Sequence, residues 1–408
     1  MNNSKTNYIL PFLTMVFLFL VIGFMTTANS QFQGPLKEAF LSGAGSHRNA
    51  MATLITFSWF LAYPICGPLG SRWVNRRGYK TTLLRGLIIM VTGLILFFLS
   101  SLFTNRLTLG FIVFLLGSFT VGASATILQV VINPYLSACS IKGTQSIQRL
   151  AIGGTANSIG TTVAPYFVAG VVFGGAQMTE VSVSQITVPF LVLACVMALV
   201  LFLLTRIPLP DIENTRAADG EKLERSVWSF RHLTLGVIAI FFYVGAEVCI
   251  GANINMHAIE ADFAQPALLA TIYWGCMLVG RAMCSTLSKI PPRAQLVFTA
   301  VAALLLLLAA ICFNSLWALA FVGLFHSIMW GAIYTLSIQN LGKYTSVASG
   351  VFMIGVVGGA VFPLLQGVLA DAFGSWRLTW TAVIACEAYI LFYALRGSRV
   401  RKADIEIE

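Results

Sequence analysis

Charge is what this chain has least of. Asp, Glu, Lys and Arg make up 10% of its 408 residues against 58% hydrophobic ones, which excludes an ordinary soluble domain. Mean hydropathy is +0.85, so water is not its main solvent. Histidine is equally scarce: His47, His232, His257 and His326 are dispersed, and no HExxH motif is present. The cysteines at 66, 139, 195, 249, 276, 284, 312 and 386 stand mostly inside apolar stretches without a CxxC pair. They read as small packing residues rather than disulfides or metal ligands. A GxSxG elbow is missing, as is a phosphate-cradling loop joined to a Lys and an acidic Mg²⁺ ligand. No cofactor or metal site is expected, and an intramembrane enzyme finds no nucleophile with a base to work with.

What the chain has instead is apolar length. A hydrocarbon core of about 30 Å takes roughly 20 apolar residues per helix. Such spans fall at 8–29, 49–70, 81–103, 108–136, 147–172 and 185–206, then at 231–256, 267–288, 295–312, 316–340, 347–370 and 378–396. The first lacks a small-residue cleavage site and is followed by eleven more, so it reads as a span and not as a leader. Six and six are divided by the most acidic stretch, Pro208 to Phe230, where Asp211, Glu213, Asp219, Glu221 and Glu224 mix with Arg216, Lys222 and Arg225 in the manner of a solvated linker. The expected organisation is a first six-helix bundle over 1–207, a linker over 208–230, a second bundle over 231–396 and a tail over 397–408. Twelve spans arranged in this way mark a candidate membrane transporter.

Orientation follows from the basic residues, because basic loops resist translocation. With the amino terminus inside, only Lys37, Arg48, Arg106 and Arg377 fall outside, Arg281 lies within the eighth span, and all other Lys and Arg lie on the inner side. Both termini and the linker are expected in the cytoplasm of a bacterial-type inner membrane. The net charge of +10 then reads as a topology signal and an affinity for the anionic leaflet of the lipid bilayer, not for nucleic acid.

The halves echo one another. Gly160-Thr161-Thr162-Val163-Ala164-Pro165 in the fifth span is answered by Gly358-Gly359-Ala360-Val361-Phe362-Pro363 in the eleventh, about half the chain later. The loop Gly70-Ser71-Arg72-Trp73-Val74-Asn75-Arg76-Arg77-Gly78-Tyr79-Lys80 resembles the glycine, acidic and basic loop of the major facilitator superfamily, with Asn75 where the acid usually stands. Its glycines allow a tight turn and its cations can cap helix ends; a plain positive-inside anchor is the other reading of it.

Further segments resemble one branch of that superfamily, the fucose, glucose and galactose proton symporters. They are Asn133-Pro134-Tyr135, Asn157 through Pro165, Tyr243-Val244-Gly245-Ala246-Glu247-Val248, Tyr273-Trp274-Gly275 with Gly280-Arg281, His326-Ser327-Ile328-Met329, and Gly358 through Gly367. The resemblance implies an all-α membrane fold of twelve transmembrane helices in two pseudo-symmetric six-helix bundles around a central cavity. It also implies alternating access for a sugar or another small polar solute. The branch carries an acid after the Asn of its first span and another four residues before the Asn-Pro of its fourth. Here those positions are Ser30, after Asn29, and Gln129, before Asn133. Neither side chain releases a proton near neutral pH. Gly154 replaces a Gln that often precedes the Asn of the fifth span, which leaves room for a different or larger substrate.

Helical spacing indicates where the remaining polar groups point. Thr26, Ser30, Gln33 and Lys37 share a face, as do Thr126, Gln129 and Asn133; Asn157 and Thr161 are an i, i+4 pair. His326, Trp330, Tyr334 and Ser337 form a stripe on the tenth span suited to a sugar wall, because aromatic faces stack on pyranose C–H faces while hydroxyls exchange hydrogen bonds. The candidate substrate contacts are Asn29, Gln129, Asn133, Asn157, Trp274, His326, Trp330 and Tyr334. For Gln129, Asn157 and His326 the competing role is interhelical glue, and for Trp59, Trp274 and Trp330 it is packing or interfacial anchoring. Trp73 and Trp376, at loop ends, read as interfacial.

Ionisable groups inside a membrane are costly and persist for function or for a partner. Glu247, with Tyr243 and Asn255 on its helical face, is either a protonatable coupling site or a structural acid paired with Arg281. Glu387 reads as peripheral, structural or lipid-facing, and Asp371 as solvated at the outer end of its span. The function expected is import of a sugar or sugar derivative by a monomer, with Glu247 handling a proton or sodium ion if transport is coupled. A uniporter or a porter of another polar solute is the alternative, and a non-transporting membrane sensor is the alternative of a different class.

Overall fold

Backbone polar groups that enter hydrocarbon must be satisfied within their own segment, and this chain is helical wherever its sequence is apolar. The structure, a computed structural model, describes residues 8–41, 43, 45–139, 141, 146–175, 181–210, 225–284, 290–341 and 344–401. Most of the expected linker, 211–224, and the end of the tail, 402–408, lie outside them, Lys222 included. The helices are α1 (Ile9–Gln31), α2 (Gln33–Phe40), α3 (Arg48–Ser100), α4 (Leu107–Ala138), α5 (Ser146–Tyr166), α6 (Thr187–Arg206), α7 (Arg231–Glu260), α8 (Pro266–Cys284), α9 (Pro292–Phe313), α10 (Leu316–Ser337), α11 (Thr345–Phe352), α12 (Gly358–Phe373) and α13 (Trp380–Phe392). Among the described residues, eleven stretches are long and apolar enough to cross a membrane. The twelfth expected span is α5, which continues as a wider helical turn over Phe167–Val172. Its Gly153, Gly154, Thr155, Asn157, Ser158, Gly160, Thr161 and Thr162 lower its hydropathy, so it is a span built for helix contact rather than for lipid.

The second and third spans, which share the label α3, are two helices that meet at Gly78, whose φ of 77° and ψ of 174° are non-helical and only glycine adopts them without strain. The basic loop is therefore mostly helical, and its tight turn is confined to that residue. α11 and α12 form one span interrupted by a 3₁₀ stretch over Met353–Val357.

The chain divides into two compact units, residues 1–41 with 61–216 and residues 42–60 with 217–408. In the first, α1 runs along α5, and a side chain at Gly23 or Gly160 would strike the backbone of the other helix. Its interior is aromatic: Phe97 stacks on Phe190 with centroids 4.7 Å apart, and Phe32 and Phe114 close around them. Arg149 is buried and donates from Nε to the Leu136 carbonyl at 2.9 Å, a cation at the end of α4. In the second unit α7 is the most enclosed span and packs against α8, α10, α12 and α13.

Residues 48–60, the first turns of α3, pack on α12 within the second unit, although the sequence pattern places them with the first half. Asp371 of α12 accepts the backbone N–H groups of Asn49 and Ala50 at 3.1 and 2.8 Å. It is thus not merely a solvated acid: it satisfies orphan donors at the start of α3, where a carboxylate is favoured by the helix dipole. Trp376, read as interfacial, is buried, and its backbone N–H donates to the Glu260 carboxylate at 3.0 Å.

Candidate functional site

In the first unit the polar face of α4 is half-buried. Gln129 donates through Nε2 to the Tyr63 hydroxyl of α3 at 2.7 Å, and Asn133, one turn further, makes no hydrogen bond among the described residues. Thr126 on the same face is bonded back to the Gly122 carbonyl at 2.8 Å. Ser30 donates to the Thr26 carbonyl of its own helix at 3.1 Å. Asn157 is half-buried, and its Nδ2 donates to the Phe19 carbonyl at 3.0 Å, tying α5 to α1 in the manner of interhelical glue. Asn29 is buried beside a small apolar cavity bounded by Phe24, Phe32, Phe97 and Phe190. It is 2% exposed in this structure.

The second unit holds two arrangements. The first is an aromatic shelf: Trp330 and Tyr334, one turn apart on α10, lie nearly parallel, with centroids 5.4 Å apart and planes 16° apart. Phe352 of α11 meets both edge-on. The Tyr334 hydroxyl is fixed by Ser349 at 2.8 Å. Trp274 is half-buried, its indole lies against Gly251 so closely that a Cβ there would clash, and its enclosed Nε1 has no hydrogen-bond partner among the described residues.

The second arrangement is a polar network in the membrane interior. Arg281 Nη2 lies 3.7 Å from Glu247 Oε1, within ion-pair distance. Tyr243 reaches Glu247 Oε1 at 3.1 Å and the His326 backbone carbonyl at 2.9 Å. His326 itself is wholly buried, with one ring nitrogen 2.8 Å from the Tyr273 hydroxyl and the other 2.8 Å from Glu387. The His326 ring is therefore engaged by Tyr273 of α8 and Glu387 of α13, partners that its spacing on α10 does not announce. Glu387, expected at the periphery, is 0% exposed and sits at the centre of the same network. A lone acid in an apolar span was the signal for it.

Tyr63, Tyr273 and Ser349 were not singled out as site residues, because each acquires its role from a partner on another helix. Asn253 and Gln366 form a further buried pair, with Nδ2 to Oε1 at 2.9 Å and Gln366 continuing to Thr379 at 3.0 Å. Among the described residues no group of His, Cys, Asp and Glu could hold a metal ion.

Apolar spans on two helical units, with half-buried amides, aromatic faces and a buried acid network, define a multi-pass membrane protein of the transporter class. The chain belongs to the major facilitator superfamily, whose family model matches residues 9–362. It is 33% identical to the glucose/galactose transporter of Brucella abortus, over 97% of this chain and 96% of that one. It is 24% identical to the L-fucose-proton symporter of Escherichia coli K12, over 96% and 94%. The inward-open structure of the E. coli xylose transporter superposes with a TM-score of 0.76 at 13% identity, covering 98% of this chain and 99% of that one, which supports the fold.

Proposed function

We propose that this protein is a secondary transporter that imports a monosaccharide or a close sugar derivative by alternating access, with cation coupling through Glu247. The observation that carries the reading is the stacked Trp330–Tyr334 pair, half-buried and held by Phe352 and Ser349, since an outer aromatic face of such a fixed pair suits the apolar face of a pyranose. The proposed substrate contacts are Trp274, Trp330 and Tyr334 in the second unit and Gln129 and Asn133 in the first. The unpartnered indole N–H of Trp274 is a donor awaiting an acceptor such as a sugar hydroxyl. The names of the relatives, one a glucose/galactose transporter and another a fucose-proton symporter, favour the same substrate class.

Glu247 is the proposed coupling group because it is an acid of the second unit held by one arginine and one tyrosine, a set of partners that can release it on protonation. The protein is further proposed to act as a monomer in a bacterial inner membrane with both termini inside. That orientation is checked by a single cysteine at Lys222 in a background stripped of reactive thiols: reaction with an impermeant reagent from outside intact cells overturns it. Counterflow in proteoliposomes against glucose, galactose, fucose, amino sugars and anhydro sugars tests the substrate class. The reading predicts exchange of at least one of them, and no exchange of any sugar contradicts it.

A further inference from the structure

Glu387 is an acid that the transport reading leaves unused. Its Oε1 lies 2.8 Å from His326 Nε2, and its Oε2 is buried without a hydrogen-bond partner among the described residues. His326 Nδ1 lies 2.8 Å from the Tyr273 hydroxyl, which donates to the Glu247 backbone carbonyl at 3.1 Å. The titratable and charged groups around the pair are Tyr243, Glu247 and Cys249 on α7, Tyr273 and Arg281 on α8, and Cys386 on α13. α9, which also packs on α13, turns only uncharged side chains such as Thr299, Ala303 and Leu307 inward. Arg281 is the one fixed cation of the set, and it faces Glu247.

Counting protons shows what this geometry can do. A phenol has a single proton. With that of Tyr273 on the Glu247 carbonyl, the bond to His326 must run from Nδ1–H to the phenol oxygen, so a neutral imidazole presents a bare Nε2 to Glu387. The 2.8 Å contact between Nε2 and Oε1 then requires one more proton, held as a carboxylic acid or as an imidazolium beside a carboxylate. Either way the pair is neutral, which suits a buried site. Loss of that proton to water leaves a carboxylate facing a nitrogen lone pair. The conflict is relieved when the imidazole proton moves to Nε2 and Tyr273 turns its own to Nδ1, which strips the Glu247 carbonyl of its donor. Tyr243 adds a second connection: its one proton serves either Glu247 Oε1 or the His326 carbonyl.

We propose that His326 and Glu387 form a proton-binding site that takes up and releases one proton in the transport cycle, with Tyr273 relaying its state to α7 at Glu247. The cyclic role rests on the transport reading; the proton site itself does not.

Nitrogen NMR of ¹⁵N-histidine-labelled protein tests the site without any substrate, since only four histidines must be separated and His326→Gln assigns the signal. The parent is expected to pass from a form protonated at Nδ1 to the Nε2–H tautomer as pH rises, with Glu387→Gln abolishing the switch and Glu387→Asp retaining it. A His326 signal that keeps one tautomer from acid to alkaline pH overturns the site, as does a switch unchanged in Glu387→Gln. In proteoliposomes, Glu387→Gln is expected to lower sugar accumulation driven by a proton gradient at least tenfold relative to its own exchange rate; accumulation equal to the parent overturns the role in the cycle. If the parent exchanges no sugar while the tautomer switch is present, the substrate reading fails and the proton site stands.

Discussion

Gln129 on α4 donates to the Tyr63 hydroxyl on α3 at 2.7 Å. The amide is neutral at every physiological pH, so it can bind a hydroxyl but cannot carry a proton. Gln129→Ala is predicted to weaken sugar binding by about 1 to 2 kcal/mol, roughly five- to thirty-fold. Thermal-shift titration with the transported sugar checks this; loss of thermal stability without a selective loss of affinity shows that the residue only holds helices together.

Asn157 is predicted to behave in the opposite way. Its Nδ2 holds the Phe19 carbonyl on α1, so Asn157→Ala leaves that acceptor without its side-chain donor and costs about 1 kcal/mol of stability. The melting temperature should fall while the sugar dissociation constant stays within about twofold. A large affinity loss at unchanged stability contradicts the assignment.

The aromatic shelf gives a third prediction. Trp330→Ala removes one of two stacked faces and should weaken sugar binding by about 1 to 2 kcal/mol, with Trp330→Phe intermediate. Tryptophan fluorescence of the parent should change on sugar addition, and that change should shrink in Trp330→Phe. Equal affinities across the three proteins contradict the shelf as a binding surface.

Asp371 supplies a fourth prediction. Asp371→Asn keeps the shape of the side chain but removes the charge from the first turn of α3, at a cost of about 0.5 to 1 kcal/mol. Hydrogen exchange at Asn49 and Ala50 should rise in the variant, and protection equal to the parent contradicts the cap.

The spans were legible because hydrocarbon thickness sets the length of an apolar run, and α5 because its glycines and threonines repeat a pattern found again in α12. The Trp330–Tyr334 stripe was legible too, since i and i+4 positions share a helix face. Depth and cross-helix partners were not. Periodicity puts His326 on the Trp330 stripe, but only the packing of α8 and α13 reveals that Tyr273 and Glu387 claim its ring. The cap at Asp371 joins positions 322 residues apart, which no local pattern can report. Glu247 and Glu387 were legible as acids in apolar spans, but the partners that hold them, Tyr243 and Arg281 for one and His326 for the other, appear only in three dimensions.

Coupling through Glu247 is the centre of the account, and accumulation in proteoliposomes under an imposed proton gradient measures it most directly. The parent is predicted to concentrate its sugar above the external level, and Glu247→Gln to lose that accumulation while still exchanging sugar down its own gradient. A parent that ignores both proton and sodium gradients, or a Glu247→Gln variant that accumulates sugar as well as the parent, contradicts the account and leaves a uniporter in its place.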